Sequence, residues 1–181
     1  MSKRVCIFCG ARTGNSPEII IETKKLVAQL ANQDYDLVYG GGSSGLMGLI
    51  ADEFLAMGRK VIGVRPSILL AEEITHQGVE MIVTKDMFER KQKMVELSDS
   101  FIALPGGVGT LDEIIEVFTL NKVKHIDKPC AVFNINGFYD KLNELLDVFV
   151  EYEYLDQVAL NELIVEDNGI NLVQKIENNI I

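Results

Sequence analysis

The sequence predicts an α/β fold, a single domain over residues 1–181 built on a parallel sheet with helices wound on both faces. Short apolar runs alternate with amphipathic helical patterns along the whole chain, which is the order of elements in a parallel sheet. The runs are apolar at successive positions, as strands buried on both faces are. Glycine-rich stretches follow three of them, where such sheets bind ligands. We therefore expect a doubly wound, Rossmann-like architecture.

Seven strands and the helices between them follow from this alternation. The strands are predicted at residues 4–9, 36–39, 60–64, 79–83, 100–104, 129–135 and 162–165. Helices are predicted at 16–32, 46–57, 86–97, 138–150 and 172–178, with another ending near 122 and a short helical piece at 67–73. Ser16 and Pro17 are typical cap and first-turn residues for the first helix, and Gly58 ends the second.

Composition and charge narrow the function classes. Hydrophobic residues make up 48% of the chain, which argues against disorder. The net charge of −10 argues against nucleic acid or an anionic membrane as a partner, because a protein that binds such a polyanion needs a basic face of its own. No apolar run approaches transmembrane length, and the run at 5–9 is too short for a signal peptide. A cytoplasmic protein is expected.

The chain has three cysteines, two of which form the C-x-x-C pattern of Cys6 and Cys9. An odd number makes a disulfide framework improbable. Redox pairs of this pattern start a helix, whereas these two lie in an apolar strand, where residues three apart face opposite sides. We predict ordinary strand cysteines, with no metal site.

The stretch at 105–113, PGGVGTLDE, carries the strongest functional signal. It joins a predicted strand to a predicted helix, and its three glycines leave backbone N–H groups uncovered beside the positive end of the helix. An anion such as phosphate fits there, with Glu113 close enough to touch its carrier. The structural alternative is a capping box, in which Thr110 and Glu113 satisfy the free N–H groups of the helix start.

Two other patterns allow alternatives of their own. Arg90, Lys91 and Lys93 form a basic cluster that is either a solvated helix face or a neighbour of the 105–113 loop. The glycines at 40–45 match a dinucleotide fingerprint, but the following strand ends in Arg65 instead of an acid. Arg65 could meet a 2′-phosphate, yet the fingerprint normally follows the first strand, so an NAD(P)-dependent oxidoreductase is disfavoured.

Four motifs carry a resemblance to a known family: VCIFCG at 5–10, YGGGxxGLMG at 39–48, MxxRK at 87–91 and PGGxGTxxE at 105–113. Together they resemble the Lonely guy (LOG) family of nucleoside 5′-monophosphate phosphoribohydrolases, proteins often mislabelled lysine decarboxylases. The resemblance extends from residue 5 to about 154. The last two motifs, in this order and spacing, are highly specific together.

The resemblance implies a reaction and a set of residues. The family hydrolyses the N-glycosidic bond of a nucleotide to free base and ribose 5-phosphate, and in some members the base is a cytokinin. Arg90 and Glu113 match its catalytic residues. The other matches are Gly106, Gly107, Gly109 and Thr110 in the phosphate loop, Lys91 and Met87 along the nucleotide, and Gly42 and Gly45 in the second wall.

The resemblance further implies a purine nucleoside 5′-monophosphate such as AMP as the small-molecule partner, a homodimer, and no metal or other cofactor. Departures from the family pattern at Phe88, Leu120, Lys122 and Arg65 bear on base preference. A non-catalytic nucleotide-binding module of the same fold is the main alternative, and retention of both Arg90 and Glu113 favours the enzyme. A pyridoxal-phosphate decarboxylase is disfavoured, since no motif singles out a Schiff-base lysine.

Overall fold

The structure, a computed structural model, describes residues 2–69 and 76–180. These residues form one seven-stranded sheet in the order β4-β3-β2-β1-β5-β6-β7. Every neighbouring pair of strands is parallel. The strands are β1 (Lys3–Phe8), β2 (Tyr35–Tyr39), β3 (Val61–Pro66), β4 (Glu80–Thr84), β5 (Ser100–Ala103), β6 (Cys130–Phe133) and β7 (Leu163–Glu166). The predicted parallel, doubly wound sheet is confirmed.

Helices cover both faces of the sheet. They are α1 (Pro17–Asn32), α2 (Gly45–Ala56), α3 (Met87–Leu97), α4 (Val108–Lys122), α5 (Asp140–Glu151), α6 (Gln157–Leu160) and α7 (Gly169–Asn179). The sequence did not predict α6, because four residues are too few for a helical period. The helical piece predicted at 67–73 begins as a 3₁₀ turn over Ser67–Leu69, and residues 70–73 lie outside the described part. None of the helices among residues 2–69 and 76–180 has the length and apolar character to cross a bilayer.

Two apolar layers sandwich the sheet because successive strand side chains point to opposite faces. Val5 and Ile7 of β1 pack into the layer that holds α1, α2 and α7. Cys6 and Phe8 of the same strand pack into the layer of α3, α4 and α5. Cys9 belongs to the first layer, so the two cysteines of the C-x-x-C pattern lie on opposite sides of the sheet. Both are free and buried, as predicted for ordinary core residues.

The strand order reverses between β1 and β5, which creates a crevice at the carboxyl edge of the sheet. The loops that follow β1, β2 and β5 meet there. Gly45 has a φ of 60°, and a Cβ on it would overlap the main-chain carbon of Ala11. A Cβ on Gly10 would lie 3.7 Å from the Cα of Gly106. The predicted convergence of the three glycine loops is confirmed.

Candidate active site

The loop after β5 ends in an open helix N-terminus at the crevice. Gly107 caps α4, and the first main-chain bond of the helix runs from the N–H of Leu111 to the carbonyl of Gly107. The N–H groups of Val108, Gly109 and Thr110 precede that bond and have no partner within the helix. Gly107 and Gly109 are exposed. The loop therefore offers backbone donors and the positive end of a helix dipole to an anion.

The capping-box alternative is wrong. It needs Thr110 at the cap, but the helix begins at Val108 and Thr110 occupies its third position. Thr110 is buried, and its hydroxyl occupies the space that a Cβ on Gly106 would need. Glu113 lies in the second turn, and its carboxylate pairs with a residue of another helix.

That partner is Arg90 of α3. The Arg90 Nη1 donates to Oε1 of Glu113 at 2.6 Å, and each side chain is only 10% exposed. The Arg90 Nε donates to the carbonyl of Val64, at 3.1 Å, which fixes the guanidinium against β3. A Cβ on Gly40 would lie 2.8 Å from Nη2, so glycine at position 40 makes room for the arginine. Arg90 is thus fixed between Val64 and Glu113 at the carboxyl edge of the sheet.

Two features of the surroundings of Glu113 have opposite effects on its pKa. Burial raises the pKa of the Glu113 carboxyl, and the Arg90 guanidinium opposes that rise. The net direction is upward. A carboxylate held in a poorly hydrated place, with one cation fixed beside it, interacts strongly with positive charge that develops nearby.

The rest of the basic cluster is divided between two roles. Lys91 faces α4, where its Nζ pairs with Asp112 at 3.2 Å and also with Glu116. Lys93 pairs with Glu96 on the outer face of α3, as the solvated-face alternative predicted. The predicted proximity to the loop therefore holds for Arg90 and Lys91, and the solvated face for Lys93.

The other residues singled out in the sequence lie outside the Arg90–Glu113 pair. Met87 begins α3 and is partly exposed. Gly42 is buried in the loop after β2, and Gly45 begins α2. Arg65 is 1% exposed, so it is not placed to meet the 2′-phosphate of a dinucleotide. Over residues 2–69 and 76–180, no group of three or more His, Cys, Asp or Glu side chains could hold a metal ion.

A cavity of about 570 Å³ opens next to the glycine loop that follows β5. Its walls are the loop after β1, residues 105–107, and the turn that follows β6. Gly106 and Gly107 line it, whereas Arg90 and Glu113 lie outside it, on the α3–α4 side of the loop. Three side chains of this wall were not among the predicted site residues: Arg12, Asn136 and Phe138. Arg12 could have been found as a cation next to the first glycine loop, but Asn136 and Phe138 carry no motif.

Comparison with known proteins now identifies the family. A protein-family profile described as "possible lysine decarboxylase" matches residues 47–176. A probable cytokinin riboside 5′-monophosphate phosphoribohydrolase of Oryza sativa subsp. japonica is 41% identical over 96% of this chain and 76% of its own length. A cytokinin riboside 5′-monophosphate phosphoribohydrolase of Arabidopsis thaliana is 41% identical over 97% of this chain and 83% of its own. The chain belongs to the LOG family.

Some solved structures have the same fold as this LOG-family chain. The molybdenum cofactor binding protein of Rippkaea orientalis superposes with a TM-score of 0.73 at 21% identity, covering 100% of this chain and 99% of that one. The Moco carrier protein of Chlamydomonas reinhardtii gives a TM-score of 0.71 at 19% identity, covering 98% and 97%. At such identities the likeness concerns the fold alone.

Proposed function

We propose that this chain hydrolyses the N-glycosidic bond of a purine nucleoside 5′-monophosphate, giving free base and ribose 5-phosphate. The observation that carries the proposal is the buried pair of Arg90 and Glu113 beside a glycine loop with open backbone donors. Relatives 41% identical to this chain are named for this class of reaction on cytokinin riboside 5′-monophosphates. The relative rates on AMP and on a cytokinin nucleotide decide whether the preferred base is plain adenine or of the cytokinin type.

The chemistry needs a negative charge close to the sugar. As the bond between the anomeric carbon and the base nitrogen breaks, positive charge develops on the ribosyl ring, as in other glycoside cleavages. The Glu113 carboxylate stabilises that charge and accepts the proton that the attacking water releases. The water oxygen forms the new bond to the anomeric carbon, and the departing base nitrogen takes up one proton from solvent, which balances the proton that water gives to Glu113. The products are the free base and ribose 5-phosphate.

Arg90 stays protonated and cannot act as a base. Its Nη1 and Nε are both engaged by protein atoms, on Glu113 and on the carbonyl of Val64. These contacts support a role in which Arg90 orients the carboxylate and keeps it ionised against the effect of burial. Arg90 thereby sets both the position and the charge of Glu113.

The 5′-phosphate is assigned to the loop and the start of α4. The backbone of this segment belongs to Gly106, Gly107, Gly109 and Thr110. Gly106 and Gly107 also line the cavity that the exposed side chain of Arg12 borders. Met87 and Lys91 lie on the helix that carries Arg90 and are assigned to the nucleotide wall beside it. The opposite wall is assigned to the loop of Gly42 and Gly45.

The test is incubation with AMP, with adenosine, and with an N6-isopentenyl AMP, followed by chromatography for the free base and an assay for ribose 5-phosphate. We expect cleavage of the nucleotides and much slower cleavage of adenosine. Equal rates on AMP and adenosine would contradict the assignment of the phosphate loop. The ratio of the two nucleotide rates gives the base preference.

The competing function is a nucleotide-binding module without catalysis, because fold alone does not fix function. It predicts that AMP binds, measured by calorimetry, while no base is released over hours at micromolar enzyme. The buried pair of Arg90 and Glu113 favours the enzyme, since buried carboxylates beside a fixed cation at a ligand crevice are typical of active sites.

We further propose that the protein is a cytoplasmic homodimer. Large apolar side chains stand exposed beside the site: Phe88 on α3 is 82% exposed, and Val108 at the start of α4 is 87% exposed. A second copy of the chain would cover them. Light scattering should give twice the monomer mass at micromolar concentration, and a monomer mass throughout dilution would count against the dimer.

The cytoplasmic location is supported by the three unpaired cysteines.

A further inference from the structure

One buried phenol joins two walls of the cavity beside the phosphate loop. Tyr139, which caps α5, is 5% exposed, and its Oη donates to the main-chain carbonyl of Leu104 at 2.7 Å. Leu104 is the last residue before Pro105, and its own N–H donates to the carbonyl of Phe8 at 2.9 Å. The loop thus leaves the sheet from a residue that is tied on one side to β1 and on the other to Tyr139.

The position of Tyr139 is itself fixed. Its N–H donates to Oδ1 of Asn134 at 2.6 Å, and Nδ2 of Asn134 donates to Asp140 at 2.7 Å. The N–H of Asn134 donates to the carbonyl of Glu166 in β7, at 2.7 Å. The ring of Phe138, which lines the cavity, packs edge-on against the Tyr139 ring with centroids 5.0 Å apart. The turn after β6 is therefore a rigid support for the hydroxyl.

We propose that Tyr139 is a positioning residue for the phosphate loop, holding the Leu104 carbonyl so that residues 105–107 face the wall formed by Asn136 and Phe138 at the spacing a 5′-phosphate needs. This inference rests on the proposed function for the identity of the ligand. Pro105 has no N–H, so the loop cannot be anchored through that nitrogen. The loop is anchored instead through the Leu104 carbonyl, which accepts a hydrogen bond from the Tyr139 hydroxyl. A phenol is protonated throughout the neutral range and so can donate there, and burial raises the pKa of Tyr139 further above that range.

Tyr139→Phe removes the hydroxyl and keeps the ring packed against Phe138. Tyr35→Phe is the matched control. Tyr35 is also buried and bonds through its hydroxyl to Glu177, but it begins β2, at the opposite edge of the sheet from the loop. Each variant deletes one hydrogen bond of a buried phenol, so both should lose some thermal stability. Only Tyr139→Phe should affect the ligand.

For Tyr139→Phe we expect KM for AMP to rise about 5- to 10-fold, the effect of one lost hydrogen bond, with kcat changed less than about 2-fold. The kcat/KM for adenosine, which has no phosphate, should stay at the wild-type value. The affinity for inorganic phosphate, measured by calorimetry, should fall with the AMP affinity. In Tyr35→Phe all four quantities should match the wild type.

Two results separate this inference from the proposed function. If the wild type binds phosphate but does not cleave AMP, a weaker phosphate affinity in Tyr139→Phe than in Tyr35→Phe upholds the positioning role while the enzyme proposal fails. If phosphate affinity is equal in all three proteins, or if AMP and adenosine are affected alike, the positioning role is overturned.

Discussion

The Nη1 of Arg90 lies 2.6 Å from Oε1 of Glu113, although the two residues are 23 apart in the chain and belong to different helices. This contact changes what Glu113 does for stability. A capping residue would satisfy a helix N–H, whereas this carboxylate neutralises a buried guanidinium. Removing either partner leaves the other charge without compensation in a poorly hydrated place.

Glu113→Gln should lower kcat for AMP by at least about 10²-fold, the scale of one electrostatic contact in a transition state. The amide is similar in size but carries no charge and cannot accept the proton of water. We also expect the free energy of unfolding to change by less than about 1 kcal/mol, because the amide oxygen still accepts from Arg90 and the net upward pKa shift of Glu113 means that its surroundings do not favour the charge. Steady-state kinetics and urea denaturation measure the two effects.

Asp112→Asn is the matched control for that substitution. Asp112 is the neighbouring carboxylate on α4, is mostly exposed and pairs with Lys91. An exposed ion pair contributes little to stability, so both the rate and the denaturation midpoint should stay near wild type. Equal activity losses in the two variants would show that the charge of α4 as a whole, and not Glu113, is what matters.

Arg90→Ala should also reduce kcat for AMP by about 10²-fold or more, since the carboxylate loses its orientation and its counter-charge. Lys93→Ala removes a cation from the exposed face of the same helix, where it pairs with Glu96, and should leave the rate unchanged. A fully active Arg90→Ala variant that still folds would return Arg90 to a purely structural role. Thermal melts of both variants establish that they fold.

The pH dependence follows from the raised pKa of Glu113. Since the folded protein holds the proton more tightly than the unfolded chain, the contribution of Glu113 to stability falls as pH rises from 4.5 through the raised pKa. Activity has the opposite sign, because the reaction needs the ionised form. The acid limb of kcat/KM for AMP should therefore have its midpoint above 4.5, the ordinary value for this group. A midpoint at or below that value would contradict the assignment.

Alanine substitutions at two neighbouring glycines distinguish an effect on packing from an effect on ligand binding. A Cβ on Gly106 would overlap the Thr110 side chain, whereas a Cβ on Gly107 would have no heavy atom within 4 Å. Gly106→Ala should thus lower Tm by about 4 °C or more, and Gly107→Ala should leave Tm within about 1 °C of wild type. If phosphate approaches the loop closely, Gly107→Ala should still raise KM for AMP. Unchanged Tm and KM in Gly107→Ala would remove that residue from the phosphate site.

Much of the fold could be predicted from local pattern. The seven strands follow from apolar runs of the right length, and the start of α1 from Ser16 and Pro17. The four-residue helix α6 could not, because it is shorter than two helical turns. The cap of α4 was also beyond reach, since Gly107 and Thr110 are both acceptable cap residues and only the observed hydrogen bonds distinguish them.

For the site, the candidate residues could be predicted from sequence: a glycine loop at a helix start, a carboxylate at 113 and an arginine at 90, in spacings that match one family. The partners of these side chains depend on the tertiary structure. It paired Arg90 with Glu113 across two helices, turned Lys91 toward Asp112 and Glu116, and buried Arg65 in the core. It also brought Tyr139 to the Leu104 carbonyl. The physical reason is that motifs record local backbone needs, whereas a buried charge or hydroxyl is satisfied by whichever distant element the packing of the sheet brings against it.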